Sequence, residues 1–203
     1  MMPESFIDGK AVPTQCEKEV NNFGIDWRKM VTIQTVLPPA ALTRVDVRWT
    51  PVEQRPHFPA IDQEPFYLFD NGEMQVRINT ATGLVDSYTV GGAEQLCPGS
   101  FRFASYEDNP NPWGIGSSRR GRRQFQLLTP QEASAFSGLG DRVIPSVRVI
   151  EDGEVRTVIE VLFGLHDSKI CQRYLLPKAG TAFEMETLVQ WGEKEQFLRM
   201  ECS

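Results

Sequence analysis

From Arg142 to Glu201 the chain alternates apolar and polar residues in five short bursts. Val155, Thr157, Ile159, Val161 and Phe163 fall on one side of an extended chain, and Arg156, Val158, Glu160 and Leu162 on the other. A period of two is the period of a strand. Because the second side is also rich in apolar residues, this strand is predicted to be central in its sheet. Runs over Val143–Ile150, Ile170–Leu176, Phe183–Trp191 and Phe197–Met200 repeat the pattern. Asp152-Gly153 stands between the first two strands and predicts a tight hairpin turn with positive φ. His166-Asp167-Ser168, Pro177-Lys178-Ala179-Gly180 and Gly192-Glu193-Lys194 punctuate the rest. The expectation is a five-stranded antiparallel meander with one face buried.

The earlier chain carries the same signature in shorter pieces. Met1–Gly9 reads as a frayed end, and Val12–Cys16 as a short strand. Lys29–Leu37 and Leu42–Trp49 read as strands, the first stopped by Pro38-Pro39, since proline has no N–H to give to a ladder. The stretch from Pro51 to Pro65 holds four prolines and no periodicity. It reads as a linker, which divides the chain into 1–64 and 65–203. Beyond it, Phe66–Phe69, Met74–Ile78 and Leu84–Val90 read as strands joined by Asp70-Asn71-Gly72 and by Thr80-Ala81-Thr82-Gly83. Phe101–Ser105 and Gln124–Leu128 complete the set. No long helix and no internal repeat is visible, so the fold class is all-β, a sandwich of antiparallel strands.

The chain has 203 residues, 40% hydrophobic and 24% charged, with a net charge of −6. These are ordinary globular values, and the acidic balance argues against nucleic acid as a partner. The sequence shows no apolar run of membrane-spanning length and no leader-like apolar segment at its start, so no membrane partner is expected. Cys16, Cys97, Cys171 and Cys202 form no CxxC pair, and they read as reduced thiols of a cytoplasmic protein.

Few residues offer chemistry. His57 and His166 stand at no metal-ligand spacing, so no metal is expected in this chain. No GxSxG, no Cys/His pairing and no glycine-rich phosphate loop is present. Glu184 and Glu186 share a strand face; two carboxylates there invite comparison with a glycosidase pair, but a solvated sheet face explains them completely. Ser117–Arg123 places four arginines in a short run, a grip for phosphate or carboxylates, or a solvated loop. The strongest candidate is Tyr106-Glu107-Asp108-Asn109-Pro110-Asn111-Pro112-Trp113. Aromatic faces at Tyr106 and Trp113 suit the C–H side of a sugar ring, and Asp108 and Asn109 suit its hydroxyls. A proline-stiffened surface loop has the same composition.

The order of four pieces gives a family resemblance. They are the stretch from Asp8 to Trp49, FYLFDNGEMQVRINTATGLVDSYTVGG, SYEDNPNPWGIG, and the run from Val147 to Met200. Together they resemble the non-catalytic β region of family 38 glycoside hydrolases, the retaining α-mannosidases. The resemblance implies a small β-sandwich followed by part of a galactose-mutarotase-like supersandwich. It implies that the catalytic α/β barrel, with its divalent metal (usually zinc) and Asp nucleophile, precedes the matched region. It also implies that the Ser100–Trp113 loop approaches the cleft, though Asn111 and Gly114 stand where some members carry acids. The expected role is therefore a cleft-walling fragment of an α-mannosidase, inactive alone and without cofactor. Its expected partners are the catalytic barrel, an α-mannoside or other glycan, and a second copy of the chain. Two alternatives remain: a stand-alone carbohydrate-binding module using Tyr106, Asp108 and Trp113, and a mutarotase-like epimerase using His57 and His166.

Overall fold

The structure, a computed structural model, describes residues 1–18, 29–54, 65–108, 120–140 and 142–202. The first stretch contains β1 (Met2–Ile7), β2 (Lys10–Val12), β3 (Thr14–Lys18), β4 (Lys29–Ile33) and β5 (Asp46–Thr50). The predicted frayed end is thus a strand. β1 lies in the middle of a three-stranded sheet, between β2 and β5. The signal for it was Asp8-Gly9: both residues take positive φ, 50° and 73°, the two-residue hairpin turn that this pair favours. Val12–Cys16 is not one strand, because Pro13 separates β2 from β3 and β3 pairs instead with β4. Leu42–Trp49 is ordered as a strand only from Asp46, where pairing with β1 begins. The predicted linker at 51–65 lies mostly outside the described residues.

The second stretch contains β6 (Phe66–Asp70), β7 (Met74–Asn79), β8 (Val85–Val90) and β9 (Ala93–Glu94), paired in sequence order as one sheet. Then come β10 (Arg102–Glu107), β11 (Arg123–Gln124), β12 (Gln126–Leu127) and the single described helix, α1 (Pro130–Phe136). Thr129 caps α1, its hydroxyl accepting from the Glu132 N–H while the Glu132 carboxylate accepts from the Thr129 N–H, with Pro130 opening the helix. This is a capping box, legible as T-x-x-E, that the strand-by-strand reading passed over. The chain closes with β13 (Val147–Asp152), β14 (Arg156–Leu165), β15 (Ser168–Pro177), β16 (Glu184–Gln190) and β17 (Gln196–Glu201).

β14 is central, as its pattern predicts. It pairs with β12 and β13 along one edge and with β15 along the other, and β16 follows β15. Its inner face pairs Ile159 with Tyr174, Val161 with Gln172 and Phe163 with Ile170. These residues, Gln172 apart, form one core with Met74, Val76 and Ile78 of β7 and Phe103 of β10. The other face is covered too: Leu162 and Cys171 pack against Ala133 of α1 and against Leu128. The predicted five-strand meander is corrected at its last strand. β17 does not pair with β16; it crosses to a three-stranded sheet and pairs with β10. There Leu198 packs on the common core, so the crossing encloses apolar surface that a fifth meander strand would leave uncovered.

The Asp152-Gly153 hairpin exists, but not as the predicted tight turn. β13 ends at Asp152 and β14 begins at Arg156, which leaves three residues between them, with the Gly153 N–H donating to the Arg156 carbonyl at 3.2 Å, and Gly153 does not take positive φ. Its glycine is needed for close approach instead: a Cβ there would stand 2.4 Å from Gln15 Oε1. Gln15, on β3, accepts from the N–H groups of Val155 and Arg156 at 3.2 and 2.9 Å. The first stretch of chain is therefore docked on the tip of the central hairpin.

Candidate functional site

β10 carries the chain into the stretch that the sequence singles out. It is flanked by β11, with Ser105 opposite Arg123, and by β17, with Tyr106 opposite Phe197. Tyr106 is 3% exposed. Its ring stacks on Phe197 with centroids 5.6 Å apart, and the Arg199 guanidinium lies 5.3 Å from its centroid. Its hydroxyl donates to Glu201 Oε1. Arg122 donates to the same carboxylate, 3.3 Å from Nε to Oε1 and 2.7 Å from the terminal nitrogen to Oε2. The Arg122 hydrogen bonds hold the Glu201 carboxyl down to about 2 against the opposing effect of burial, with the Tyr106 hydroxyl adding to them. Tyr106 is thus packed into the β10–β17 pair, with its polar tip already occupied.

Asp108 is exposed just past the strand, and its N–H donates to the Glu195 carbonyl at 2.8 Å. The Glu107 N–H donates to the Arg120 carbonyl at 3.2 Å. Asn109, Trp113 and Ser117–Arg119 lie outside the described residues, as does His57. His166 occupies an exposed turn at φ 47°, its Nε2 3.3 Å from an Arg123 nitrogen. Of the arginine run, Arg122 and Arg123 are each committed to a side chain of this chain, Glu201 and His166. Glu184 is exposed, and Glu186 is 59% exposed and 3.9 Å from Arg173, which is the solvated-face reading.

A second polar centre lies on the outer face of β14. Glu160, 5% exposed, sits between Arg148 on β13 and Arg173 on β15, the latter at 3.1 Å. Burial favours its neutral form, but the Arg148 charge and hydrogen bond, with Arg173 behind them, leave its pKa lowered. The Cys171 thiol donates to the same carboxylate at 3.4 Å. Burial first, and the Glu160 charge next, push that thiol up to about 12.

Glu201 was not singled out from the sequence, and Arg122 was read only as one member of the basic run Ser117–Arg123. Alternation alone puts Glu201 and Arg199 on the face of β17 that carries Phe197, opposite Leu198 and Met200. That this face belongs beside Tyr106 follows only from the β10–β17 register. Among the described residues no group of three or more His, Cys, Asp or Glu side chains could hold a metal ion.

Antiparallel sheets packed on a common core define an all-β, sandwich-type protein. Residues 69–203 match the C-terminal domain of glycosyl hydrolases family 38, and the chain belongs to that family. No curated protein matches it as a relative. Among the described residues no helix is long and apolar enough to cross a membrane.

Proposed function

We propose that this chain serves as the non-catalytic β region of a family 38 glycosidase acting on α-mannosides. The family match over residues 69–203 carries the reading. In it the β region packs against a catalytic barrel and walls the cleft, and the chain alone turns over no substrate and needs no cofactor. Asp108, Asn109 and Trp113 supply its contacts to the glycan, while Tyr106 is buried in the fold. Residues 1–64 form a small sandwich portion docked on residues 65–203 through Gln15 and Glu17. The four cysteines, none in a disulfide, support a reducing, cytoplasmic setting. β16, at the edge of its sheet among the described residues and with Leu188 68% exposed, supports association with the barrel or with a second copy, since apolar edge strands seldom stay uncovered.

The test is a chromogenic α-mannoside assay with added zinc, run beside an NMR titration of the Asp108 amide with methyl α-mannoside. The expected result is no turnover and a saturable shift at Asp108. Zinc-dependent turnover that disappears on mutating this chain would overturn the non-catalytic reading. A flat titration would remove the glycan contact.

A further inference from the structure

β5 is an edge strand among the described residues: β1 pairs with one side of it, and no described strand meets the other. All five of its residues are exposed. Val47, 43% exposed, stands opposite Ser5, and Trp49, 44% exposed, stands opposite Pro3. Both therefore share the face of the sheet on which Pro3 and Ser5 are buried, and Asp46 and Arg48 alternate with them on the other face. The Asp46 carboxylate receives Arg44 at Oδ1 only, from Nε at 2.8 Å and from a terminal nitrogen at 2.7 Å, so Oδ2 can accept again. Arg48 lies 4.6 Å from the centroid of the Phe6 ring, a contact that uses no acceptor and leaves its N–H groups their hydrogen-bonding capacity. An open ladder of backbone groups beside half-covered apolar side chains is a template for another strand.

We propose that the open edge of β5 pairs with β5 of a second copy of this chain, antiparallel, about a two-fold axis through Val47. Charge complementarity selects both the occupant and the register. A two-fold pair is isologous, so every contact is made twice. With the axis at Val47, Asp46 of each copy stands directly opposite Arg48 of the other, and Val45 stands opposite Trp49. With the axis at Asp46 or at Arg48, two like charges meet on it, which is destabilising. Only the Val47 axis gives every charge of β5 an opposite charge. The pairing would join two three-stranded sheets into one of six strands and cover the exposed sides of Val47 and Trp49. β16 offers a second copy no such match: it carries Glu184 and Glu186 and no basic residue, so pairing with itself lines carboxylates along the seam without a counter-charge. A seam of one short strand lies at the small end of specific interfaces, so the expected Kd is about 10–100 μM. The inference moves the second copy from β16 to β5 and does not depend on the glycosidase reading.

Sedimentation equilibrium on the whole chain, from micromolar to millimolar concentration, reads the association. Asp46→Arg and Arg48→Asp each set like charges opposite one another across the axis, and each should raise Kd at least about tenfold. Mixed in equal amounts, the two variants put opposite charges back at both positions. The mixture should dimerise with a Kd within roughly threefold of wild type, a result that two misfolded variants could not give. Leu188→Lys, on β16, should dimerise as wild type does. A wild-type chain that stays monomeric at millimolar concentration, or a mixture no better than either variant alone, would overturn the proposal. So would a dimer lost in Leu188→Lys, which would keep the second copy at β16 and leave the family reading as it stands.

Discussion

Arg156 holds both oxygens of Glu17, at 2.7 Å from Nε and 2.7 Å from a terminal nitrogen. The two residues belong to β14 and β3, on either side of the stretch read from sequence as a linker. Their side chains are only 18% and 5% exposed. Gln15 completes the joint, donating to Glu17 Oε1 at 3.0 Å while accepting from the hairpin backbone. A planar fork on a carboxylate is a geometry that lysine cannot reproduce.

Glu17→Ala should therefore destabilise the chain by about 3 kcal/mol, because a largely buried guanidinium is left without its counter-charge. Arg156→Lys should keep the charge, lose the fork, and fall between wild type and Glu17→Ala. Urea unfolding measures both. A loss well under 1 kcal/mol for Glu17→Ala would mean that solvent already screens the pair.

Ile159 and Glu160 are neighbours on β14 and point to opposite faces. Ile159 is fully buried in the main core, so Ile159→Ala should cost about 2–5 kcal/mol through lost transfer energy and a cavity. From sequence alone Glu160→Ala should cost far less, unless Glu160 pairs with arginines; it pairs with two. The expected loss is about 3 kcal/mol, comparable with that of Ile159→Ala. The pH dependence checks the cause. The folded pKa of Glu160 lies below its ordinary value of 4.5. Its stabilisation is then fully present above about 4.5 and is lost as pH falls through the lower, folded value. Wild type should lose stability over that acid range more steeply than Glu160→Gln. Parallel pH profiles would show that the arginine cluster contributes nothing to acid sensitivity.

The cysteines should separate by reactivity. Cys97 and Cys202 are exposed, Cys16 is half-buried and Cys171 is buried. Cys171 is also held as the thiol, its pKa pushed up to about 12. At pH 8 a thiol reagent should modify Cys97 and Cys202 quickly, Cys16 more slowly, and Cys171 only after denaturation, when all four react. Mass mapping of early products gives the order. Early labelling of Cys171 would mean that the layer of α1 over it opens readily.

Strand identity was largely legible. The alternation in β7, β14 and β15 marked their buried faces, because a half-buried strand has to keep apolar residues in step with its pleat. What escaped were features whose signal is not periodic. The capping box of α1 and the Asp8-Gly9 turn are local motifs, readable in principle. The docking of Gln15 and Glu17 on the central hairpin has no local signal, since their partners are some 140 residues away. Of the candidate site, the stretch after Tyr106 could be chosen by composition. Tyr106 itself was read as a sugar-facing aromatic, and it proves to be a packed support with its hydroxyl on Glu201.

The sequence by itself determined that this chain is built from antiparallel strands, which residues of most strands face inward, and which family it resembles. Each of these is a property of neighbours in the chain, set by the period of two and by turn chemistry at fixed offsets. Only the tertiary structure decided that β17 leaves the meander for β10, that Glu160 lies between two arginines, and that Glu201 joins Tyr106 to Arg122. Those are pairings between strands. A strand's alternation specifies which side is apolar but not which edge it meets, and the choice of edge follows from enclosing the most apolar surface while giving every buried charge a partner.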